Sequence, residues 1–449
     1  MIGAQTIGNA TIVAYDKKPI LSTDPWLGLD HYAYFGSWYL PYEIPEKIHQ
    51  DILSSKYIIF SHGHPDHLNP DSIHKFKNNT IILGDHVGKR MFNDLKSQGF
   101  NVRILKERVW TELSKNVSVM SISTKIQDTI LIIKIKDDIF INLNDAGPMS
   151  HKFIKKVVKN FKRKFLLSIS GWGDADMINF YDKQGNFVVP PAKNNIYVGE
   201  QLSLLAKSVR AKTVIPFSSH HQYQRTDSIW AQNYVTPMYA YRRGLHSDMN
   251  FIPAFVDIDC ISGSYKEIKP KKLEIKIMKP EKFGDNWSDQ LDKKDFDKVN
   301  DYFLEKEIIK KRLGFINFIV GGKTYTVKLN QASNKGISFE VPRKSLMVAV
   351  QNEIFDDLLL SNFMKATLFN MKSLYECDFN ALLTKYSDNG GAKTKQQVKE
   401  YLSEYHRRAG REYLFELFLG KSADILNRLL TNKGSKLRRT LKSFYYRLK

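Results

Sequence analysis

The sequence predicts an α/β protein with two domains, and three observations support this prediction. Short apolar runs that end at polar or histidine-containing segments recur through residues 1–265, as in the strands of a mixed sheet. A lysine- and proline-rich stretch then interrupts the apolar pattern. Beyond it, a hairpin pattern is followed by helical periodicity. We therefore expect domains at 1–265 and 299–449, joined by a charged linker at 266–298.

The N-terminal elements follow from local patterns. Residues 57–60 read Tyr-Ile-Ile-Phe and predict a short buried strand. An alternating stretch that leads to Asn142 predicts a second strand, and residues 214–217 predict a third. Each of these strands is followed by polar residues, which places candidate functional side chains at strand ends.

The C-terminal elements begin with a hairpin and continue as helices. Gly321 and Gly322 separate two β-rich runs, 315–320 and 323–329, and a Gly-Gly pair between such runs is typical of a tight hairpin turn. The domain is expected to be α+β and mainly helical. Amphipathic periodicity predicts helices at 345–369, 394–418 and 423–430.

Composition is that of an ordinary globular protein. The 449 residues are 42% hydrophobic and 26% charged, which is enough for two separate cores. No apolar run approaches the roughly 18 residues that a membrane span requires, and the first residues lack the features of a signal peptide. We expect a cytoplasmic protein, in which Cys260 and Cys377 are reduced thiols.

The formal net charge of +21 indicates an anionic substrate or partner. Part of this charge lies in residues 433–449, which contain seven basic residues, no acidic residue and interleaved aromatic residues. Nucleic acid or an anionic surface could bind this tail. The alternative is a solvated tail, or a last helix that packs against its own domain.

Three histidines and one aspartate fall within the six residues from His62 to His67. His62 and His64 are two residues apart, so in an extended segment both imidazoles project to one side and can share an ion. Pro65 turns the chain, which allows Asp66 and His67 to form a second ligand pair. Imidazole nitrogen and carboxylate oxygen are donors that zinc, iron and manganese accept. We expect one or two divalent ions, with zinc as the expected metal and iron as the alternative.

The segment resembles the signature of the metallo-β-lactamase superfamily, in particular its lactonase-like branch. The flanking segments 6–11, 19–27, 168–173 and 214–221 fit the same order. The resemblance implies a four-layer αββα sandwich with the metal at one edge of two facing sheets, and it makes Asp145 the expected bridging ligand. Asn9 departs from the usual histidine at its position.

Within the superfamily, residues 24–237 are most similar to the metallo-β-lactamase-like domain of the CMP-N-acetylneuraminate hydroxylase family. That family also carries a Rieske cluster, which needs two cysteines and two histidines. Cys260 and Cys377 are too far apart in sequence to supply it. Any oxygenase activity would therefore need a separate electron donor.

Two histidines that the resemblance implies are absent or displaced. Residues 119–127 contain no histidine, so the ligand set of His62 and His64 lacks its usual third member. Ser218 stands where the superfamily places its last histidine ligand. Strand alternation puts His220 on the same face as Ser218, so we choose His220 as the metal ligand and assign His221 to the substrate side.

The expected roles of the site residues can be stated together. Asp66 is the catalytic candidate, because a carboxylate beside the metal can orient a water molecule or relay its proton. Trp172 and Asp174 are expected, with His221, to contact substrate, and Asp24 and Asn144 to stand beside the ligands. Asp356 and Asp357 are interpreted as structural or capping residues. The predicted metal ligands are His62, His64, Asp66, His67, Asp145 and His220.

The leading hypothesis is an enzyme: a metal-dependent hydrolase that acts, through metal-bound hydroxide, on a small anionic substrate such as a nucleotide-sugar-like or phosphate-bearing compound. One alternative is a non-haem iron oxygenase that resembles the CMP-N-acetylneuraminate hydroxylases. The other is a protein that processes or binds nucleic acid. The sequence does not predict the oligomeric state.

Overall fold

The computed structural model describes residues 1–28, 30–147, 149–169, 177–190, 197–410 and 412. Two large sheets dominate its N-terminal part. The first has eight strands, in the order β18 (Tyr265–Glu267), β17 (Val256–Asp259), β1 (Ile2–Ile7), β2 (Thr11–Asp16), β3 (Lys18–Thr23), β5 (Tyr57–Phe60), β6 (Thr80–Leu83) and β7 (Asn101–Ile104). The second has seven strands, in the order β16 (Asn250–Phe251), β14 (Thr213–Phe217), β12 (Arg163–Ile169), β11 (Asp138–Asn144), β10 (Thr129–Ile135), β9 (Val117–Ser123) and β8 (Thr111–Glu112).

Both sheets are mixed. In the first sheet, β3, β5, β6 and β7 are parallel and the other pairs are antiparallel. In the second sheet, β11, β12, β14 and β16 are parallel, whereas β8 to β11 pair antiparallel. Parallel neighbours bring the carboxyl ends of several strands to one edge of the molecule.

Alternation along the strands builds three apolar layers. Ile59 of β5 and Leu131 of β10 face into the core between the two sheets. Ile58 points the opposite way, toward α1 (Glu46–Leu53) and α2 (Arg90–Ser97). On the far side, Ile132 packs toward α3 (His151–Val157) and α4 (Val198–Ser208). The predicted four-layer αββα sandwich is confirmed.

The C-terminal part has its own sheet and core. The sheet order is β13 (Phe180–Asp182), β22 (Lys365–Phe369), β21 (Gly336–Glu340), β19 (Phe315–Val320) and β20 (Lys323–Lys328). The predicted hairpin is confirmed: β19 and β20 pair antiparallel around Gly321 and Gly322, whose φ angles of 58° and 75° suit a type I′ turn. The helices here are α5 (Lys293–Leu304), α6 (Glu307–Arg312), α7 (Arg343–Gln351), α8 (Phe355–Ser361) and α9 (Lys395–Ala409), with a π-helix at Ala381–Asp388.

The single helix predicted at 345–369 is wrong. The structure divides this segment into α7, α8 and β22, because Glu353 and Asn362 have left-handed φ angles of 50° and 57° that end helical geometry. Residues Lys365–Phe369 alternate between buried and half-buried positions and pair with β21. Local periodicity therefore did not distinguish a helix from a strand inside the sheet.

Other C-terminal predictions have different outcomes. Helix α9 begins after Thr394, which forms a capping box with Gln397, so the start of the helix predicted at 394–418 is confirmed. The helix predicted at 423–430 and the basic tail lie outside the described residues. The domain boundaries stay a prediction, and α5 begins within the stretch 266–298 that we expect to be a linker. Within the described ranges, no helix has the length and apolarity that crossing a bilayer requires.

Candidate metal centre

Four strands end at one edge of the sandwich and place polar side chains there. Asp24 follows β3, the segment 61–67 follows β5, Asn144 and Asp145 close β11, and Ser218 follows β14. Hydrogen bonds join these ends. Asp24 Oδ1 accepts from the Ser61 backbone N–H at 2.7 Å, Asp24 Oδ2 accepts from Asn144 Nδ2 at 2.8 Å, and Ser218 Oγ donates to Asp145 Oδ1 at 3.1 Å.

The backbone at these strand ends is constrained. Asp24, Asn144, Ser218 and Ser219 all have φ angles between 40° and 56°, in the left-handed region that non-glycine residues rarely adopt. Such conformations persist where the surrounding structure holds them, and they are concentrated at functional sites. Here they turn the chain so that side chains enter the edge of the sheets.

His62, His64 and Asp145 form the first group of donors. His62 Nε2 lies 3.0 Å from His64 Nδ1 and 3.7 Å from Asp145 Oδ2. One ligand atom from each residue lies within 4.8 Å of the others. Two donors on one tetrahedral zinc ion are roughly 3.4 Å apart, so this spacing suits a shared cation.

Asp66 and His67 form the second group of donors. His67 Nε2 lies 3.3 Å from Asp66 Oδ2 and 3.5 Å from Asp145 Oδ2. This Nε2 atom is buried and has no hydrogen-bond partner among the described residues. Because Oδ2 of Asp145 lies close to both His62 and His67, Asp145 stands between the two groups, as a bridging ligand would.

Asn9 and Tyr34 fix the carboxylate of Asp66. Asn9 Nδ2 donates to Asp66 Oδ2 at 2.9 Å, and the Tyr34 hydroxyl donates to Oδ1 at 2.6 Å. Asn9 Oδ1 also accepts from the backbone N–H of His220 at 3.0 Å. Asn9, which departs from the usual histidine, thus connects the Asp66 loop to the segment after β14 by amide hydrogen bonds.

The other ring nitrogen of His67 contacts Asp24 and Asn144. Nδ1 lies 3.4 Å from Asp24 Oδ2 and 3.1 Å from Asn144 Nδ2. A carboxylate on the far nitrogen of a metal-binding histidine orients the ring and raises its basicity. Asp24 and Asn144 therefore both contact His67, a candidate metal ligand.

The charges of the site favour positive charge between its carboxylates. Burial lowers the pKa of His67, but the charges of Asp66 and Asp145 outweigh it and hold that pKa well above its ordinary value. Burial and the neighbouring His67 and His64 lower the pKa of His62 well below its ordinary value. His62 is thus a neutral donor, while the pocket of Asp66 and Asp145 stabilises a cation.

The C-terminal domain supplies two charged residues to this site. His64 Nε2 lies 3.0 Å from Asp356 Oδ2, and Lys385 Nζ lies 3.2 Å from both of these atoms. The charge of Lys385 offsets the effect of burial and lowers the pKa of Asp356, whereas burial and the charge of Asp356 hold the pKa of Asp357 well above its ordinary value. Asp356 is therefore ionised and Asp357 neutral. The structural or capping interpretation omits the contact of Asp356 with His64.

Asp128 lies where the usual third histidine is missing. It sits in the turn between β9 and β10. Its Oδ1 atom is buried 4.0 Å from His62 Nδ1 and forms no hydrogen bond within the part of the chain that the structure describes. Burial raises the pKa of Asp128 to about 6. The neighbourhood that lacks a histidine therefore holds a buried carboxylate.

His220 and His221 have different surroundings. The ring of His221 stacks on Trp38 with a centroid distance of 3.3 Å, and its pKa is lowered to about 3 by burial, against the opposing charges of Asp66 and Asp145. The ring of His220 contacts Phe255 edge-on, and burial lowers its pKa to about 4. Strand alternation does not govern the pair, because β14 ends at Phe217 and the next two residues have left-handed φ angles.

A cavity beside His62 and His64 carries positive charge. Lys89, Arg90 and Lys385 line it, together with Asp128. An anionic group could approach the metal centre from this side. The predicted substrate residues Trp172 and Asp174 lie outside the described residues.

Sequence reasoning missed Tyr34, Asp128, Asp356 and Lys385. Asp128 directly follows residues 119–127, which lack the expected histidine, and its carboxylate is the local signal of a ligand-type residue. Tyr34, Asp356 and Lys385 reach the site only through tertiary packing, and Asp356 is 292 residues from His64. No local pattern indicates such a contact.

Fold and site together define an α/β protein with two facing sheets and a histidine–carboxylate cluster at their shared edge. No protein-family model matches the chain, and no curated protein is similar to it. Solved structures that resemble it include an isothiocyanate hydrolase from Delia radicum gut bacteria, with 15% identity over 59% of this chain and 98% of that chain and a TM-score of 0.38. The metallo-β-lactamase-fold protein YhfI of Bacillus subtilis shows 8% identity over 56% and 94%, with a TM-score of 0.33.

A third similar structure is CmlA, a diiron β-hydroxylase from Streptomyces venezuelae, with 12% identity over 55% of this chain and 49% of that chain and a TM-score of 0.35. Likeness this weak carries no information about the reaction of this chain, which has to be inferred from its own residues. The narrower resemblance to the CMP-N-acetylneuraminate hydroxylase family stays a prediction.

Proposed function

We propose that the protein is a metal-dependent hydrolase of a small anionic substrate. The observation that carries this proposal is the position of Asp145 Oδ2, 3.7 Å from His62 Nε2 and 3.5 Å from His67 Nε2. A carboxylate between two imidazole donors is suited to one or two divalent ions. The buried, unpartnered Nε2 of His67 supports the same conclusion, because a buried polar atom without a partner is costly unless a ligand satisfies it.

The residues that would hold the ion or ions are His62, His64, Asp66, His67 and Asp145. We expect zinc, which these nitrogen and oxygen donors suit. When bound, such a cation lowers the pKa of a water molecule and polarises the electrophile. We assign the last ligand position to His221 rather than His220, because the charges of Asp66 and Asp145 act on His221.

We assign to Asp66 the orientation of a water molecule; against the effect of burial, the charges of His67 and His64 hold the pKa of its carboxyl well below the ordinary value, so it stays ionised. Tyr34 and Asn9 each donate to one of its oxygens, which fixes the plane of the carboxylate. Because the carboxylate is fixed before substrate binds, it needs no reorganisation during the reaction. Trp38 stacks on the ring of His221 and forms an apolar wall next to that histidine.

The substrate is expected to carry a phosphate or carboxylate group. Lys89, Arg90 and Lys385 line the cavity beside His62 and His64, and cations in a partly enclosed cavity attract an anion. Arg90 also pairs with Asp94 and Lys385 with Asp356, so Lys89 is the main cation for this role. The family resemblance suggests a nucleotide-sugar-like or another phosphate-bearing compound. Its phosphate would contact these cations.

Metal content and hydrolysis test this proposal together. Protein purified aerobically and anaerobically should hold zinc, and it should cleave nitrophenyl phosphodiesters or esters in a reaction that chelator abolishes and zinc restores. Asp145→Asn should remove metal and hydrolysis. Asp137→Asn is the matched control, since Asp137 is exposed at the opposite end of β11 and should change neither. Zinc-loaded protein that cleaves none of these substrates would contradict the assignment.

A second candidate is a non-haem iron oxygenase, and the acidic character of the site favours it. The two ligand groups contain few histidines and are surrounded by three carboxylates, those of Asp66, Asp128 and Asp145. Carboxylate oxygens are harder donors than imidazole nitrogens, and such donors suit iron and manganese. Cys260 and Cys377 are separate buried thiols, so electrons would come from another protein. Iron in anaerobically purified protein, with substrate-dependent oxygen consumption, would favour this candidate over the hydrolase.

A further inference from the structure

A cleft of about 830 Å³ lies at the edge of the second sheet opposite the metal centre. It is formed where β12, β14 and β16 begin, whereas the metal centre lies where β5, β11 and β14 end. Strand β12 alone spans six residue steps, which is roughly 20 Å at about 3.3 Å per residue. The cleft is therefore separate from the candidate metal centre.

Basic residues line this cleft, and no acidic residue does so among those described. They are Lys162, Arg163, Lys164, Arg210, Lys212 and Arg242. Arg163 is paired with Asp138 at 2.6 Å. The other five form no ion pair within the described part of the chain, and four of them are exposed.

The positive charges of the cleft repel one another. Burial and the charges of Arg210 and Lys212 lower the pKa of Lys164, and the charge of Arg210 contributes to a lowered pKa of Lys155 nearby. Like charges gathered without counter-charges destabilise the folded state, and a bound anion relieves this repulsion. Five unpaired cations exceed the charge of a single phosphate group, which is about −2 at neutral pH. A ligand with several phosphates balances them better.

Aromatic side chains stand among these cations. Tyr265 is 52% exposed at the cleft, and the guanidinium carbon of Arg242 lies 5.2 Å from the ring centroid of Phe251. Basic grooves with interleaved aromatic rings bind single-stranded nucleic acid, because phosphates follow the cations while bases stack on the rings. The net charge of +21 would add long-range attraction.

We propose that this cleft binds a single strand of nucleic acid through its phosphodiester backbone. Five cations contact the phosphates: Lys162, Lys164, Arg210, Lys212 and Arg242. The rings of Tyr265 and Phe251 offer faces on which bases stack. Binding needs no metal ion, because the cleft lies at the opposite edge of the sheet.

Fluorescence anisotropy of a labelled 20-nucleotide strand tests the proposal. The measurement uses the full chain at about 50 mM salt with chelator present. Arg210→Gln/Lys212→Gln should weaken binding at least tenfold. It should also reduce the slope of log affinity against log salt by about 1.4, because each lost phosphate contact on a single strand accounts for about 0.7. The Lys294→Gln/Lys298→Gln variant removes the same charge from the exposed face of α5 and should bind as the parent does.

Three outcomes would overturn the proposal. Equal weakening in both double variants would mean that net charge alone attracts the strand. Binding that chelator abolishes, or that Asp145→Asn reduces as strongly as the cleft variant does, would place the strand at the metal centre. Binding of a labelled nucleoside triphosphate with no binding of the strand would identify a small-ligand site instead. Far-ultraviolet circular dichroism of each variant checks that the fold is retained.

Discussion

The Nε2 atom of His64 lies 3.0 Å from Oδ2 of Asp356, although 292 residues separate the two in the chain. This contact joins the histidine-rich loop after β5 to helix α8 of the C-terminal domain. His64 directs Nδ1 to His62 and Nε2 to Asp356, so the ring is held from both sides. The C-terminal domain therefore takes part in orienting a proposed metal ligand.

Replacing Asp356 with asparagine should lower metal affinity by about 10- to 100-fold, because His64 loses the carboxylate that orients its ring. Competition with a chromogenic chelator measures this change. Asp357→Asn is the matched control: Asp357 is held neutral, so an amide replaces a carboxylic acid and affinity should change less than about threefold. Equal losses in the two variants would contradict a specific role for Asp356.

Separate replacement of His220 and His221 with glutamine should distinguish the two histidines. His221→Gln should reduce metal content, since this ring lies within the influence of Asp66 and Asp145. His220→Gln should keep metal but lower the melting temperature by a few degrees, because the ring is buried against Phe255. Metal loss only in the His220 variant would restore the assignment based on strand alternation.

Replacing Tyr34 with phenylalanine should lower kcat by about tenfold or more without removing metal. The substitution deletes the 2.6 Å hydrogen bond to Asp66 Oδ1 and leaves the carboxylate fixed by Asn9 alone. Steady-state kinetics and metal analysis on the same preparation check this expectation. Tyr32→Phe, which removes an exposed hydroxyl that bonds to Asp30, is the control and should leave kcat unchanged.

His86 should make stability depend on pH. Burial lowers its pKa to about 3 from 6.5, so the unfolded chain takes up a proton that the folded protein excludes. Stability should therefore fall as the pH drops from 6.5 toward 3, by about 2 kcal/mol at pH 5. The His86→Gln side chain can still bond to Thr129 and Tyr405. Between pH 7 and pH 5, this variant should lose about 2 kcal/mol less unfolding free energy than the parent protein.

Urea titrations with chelator present measure the effect of His86, and His74→Gln, at an exposed position, should show the same pH dependence as the parent. If His86→Gln also loses stability as the parent does, another buried group is responsible for the acid sensitivity.

The sequence predicted those features that depend on local pattern. The strand before His62, the hairpin around Gly321 and the layered α/β architecture follow from periodicity, turn residues and the family resemblance, and the structure confirms them. The structure brings His62, His64, Asp66, His67 and Asp145 together at one edge of the two sheets, and their role as metal ligands stays a prediction.

What the sequence did not predict depends on distant parts of the chain. Segment 345–369 has apolar spacing compatible with a helix, yet pairing with β21 makes its last part a strand. Asp356 acquires its contact only when α8 packs beside the loop after β5. His220 and His221 differ in surroundings because Ser218 and Ser219 adopt left-handed conformations, which no spacing rule anticipates.

The pairing of β13 with β22 has a consequence for how this protein is made. Asn179, next to β13, hydrogen-bonds to the backbone of Asn362, a partner that lies 183 residues further along the chain. At ribosomal speeds of about 5 to 20 residues per second, the earlier segment waits roughly 10 to 40 s for its neighbour to be synthesised. The N-terminal half consequently cannot finish folding as it leaves the ribosome, and expression of either half alone should yield an aggregation-prone product with an unpaired strand edge.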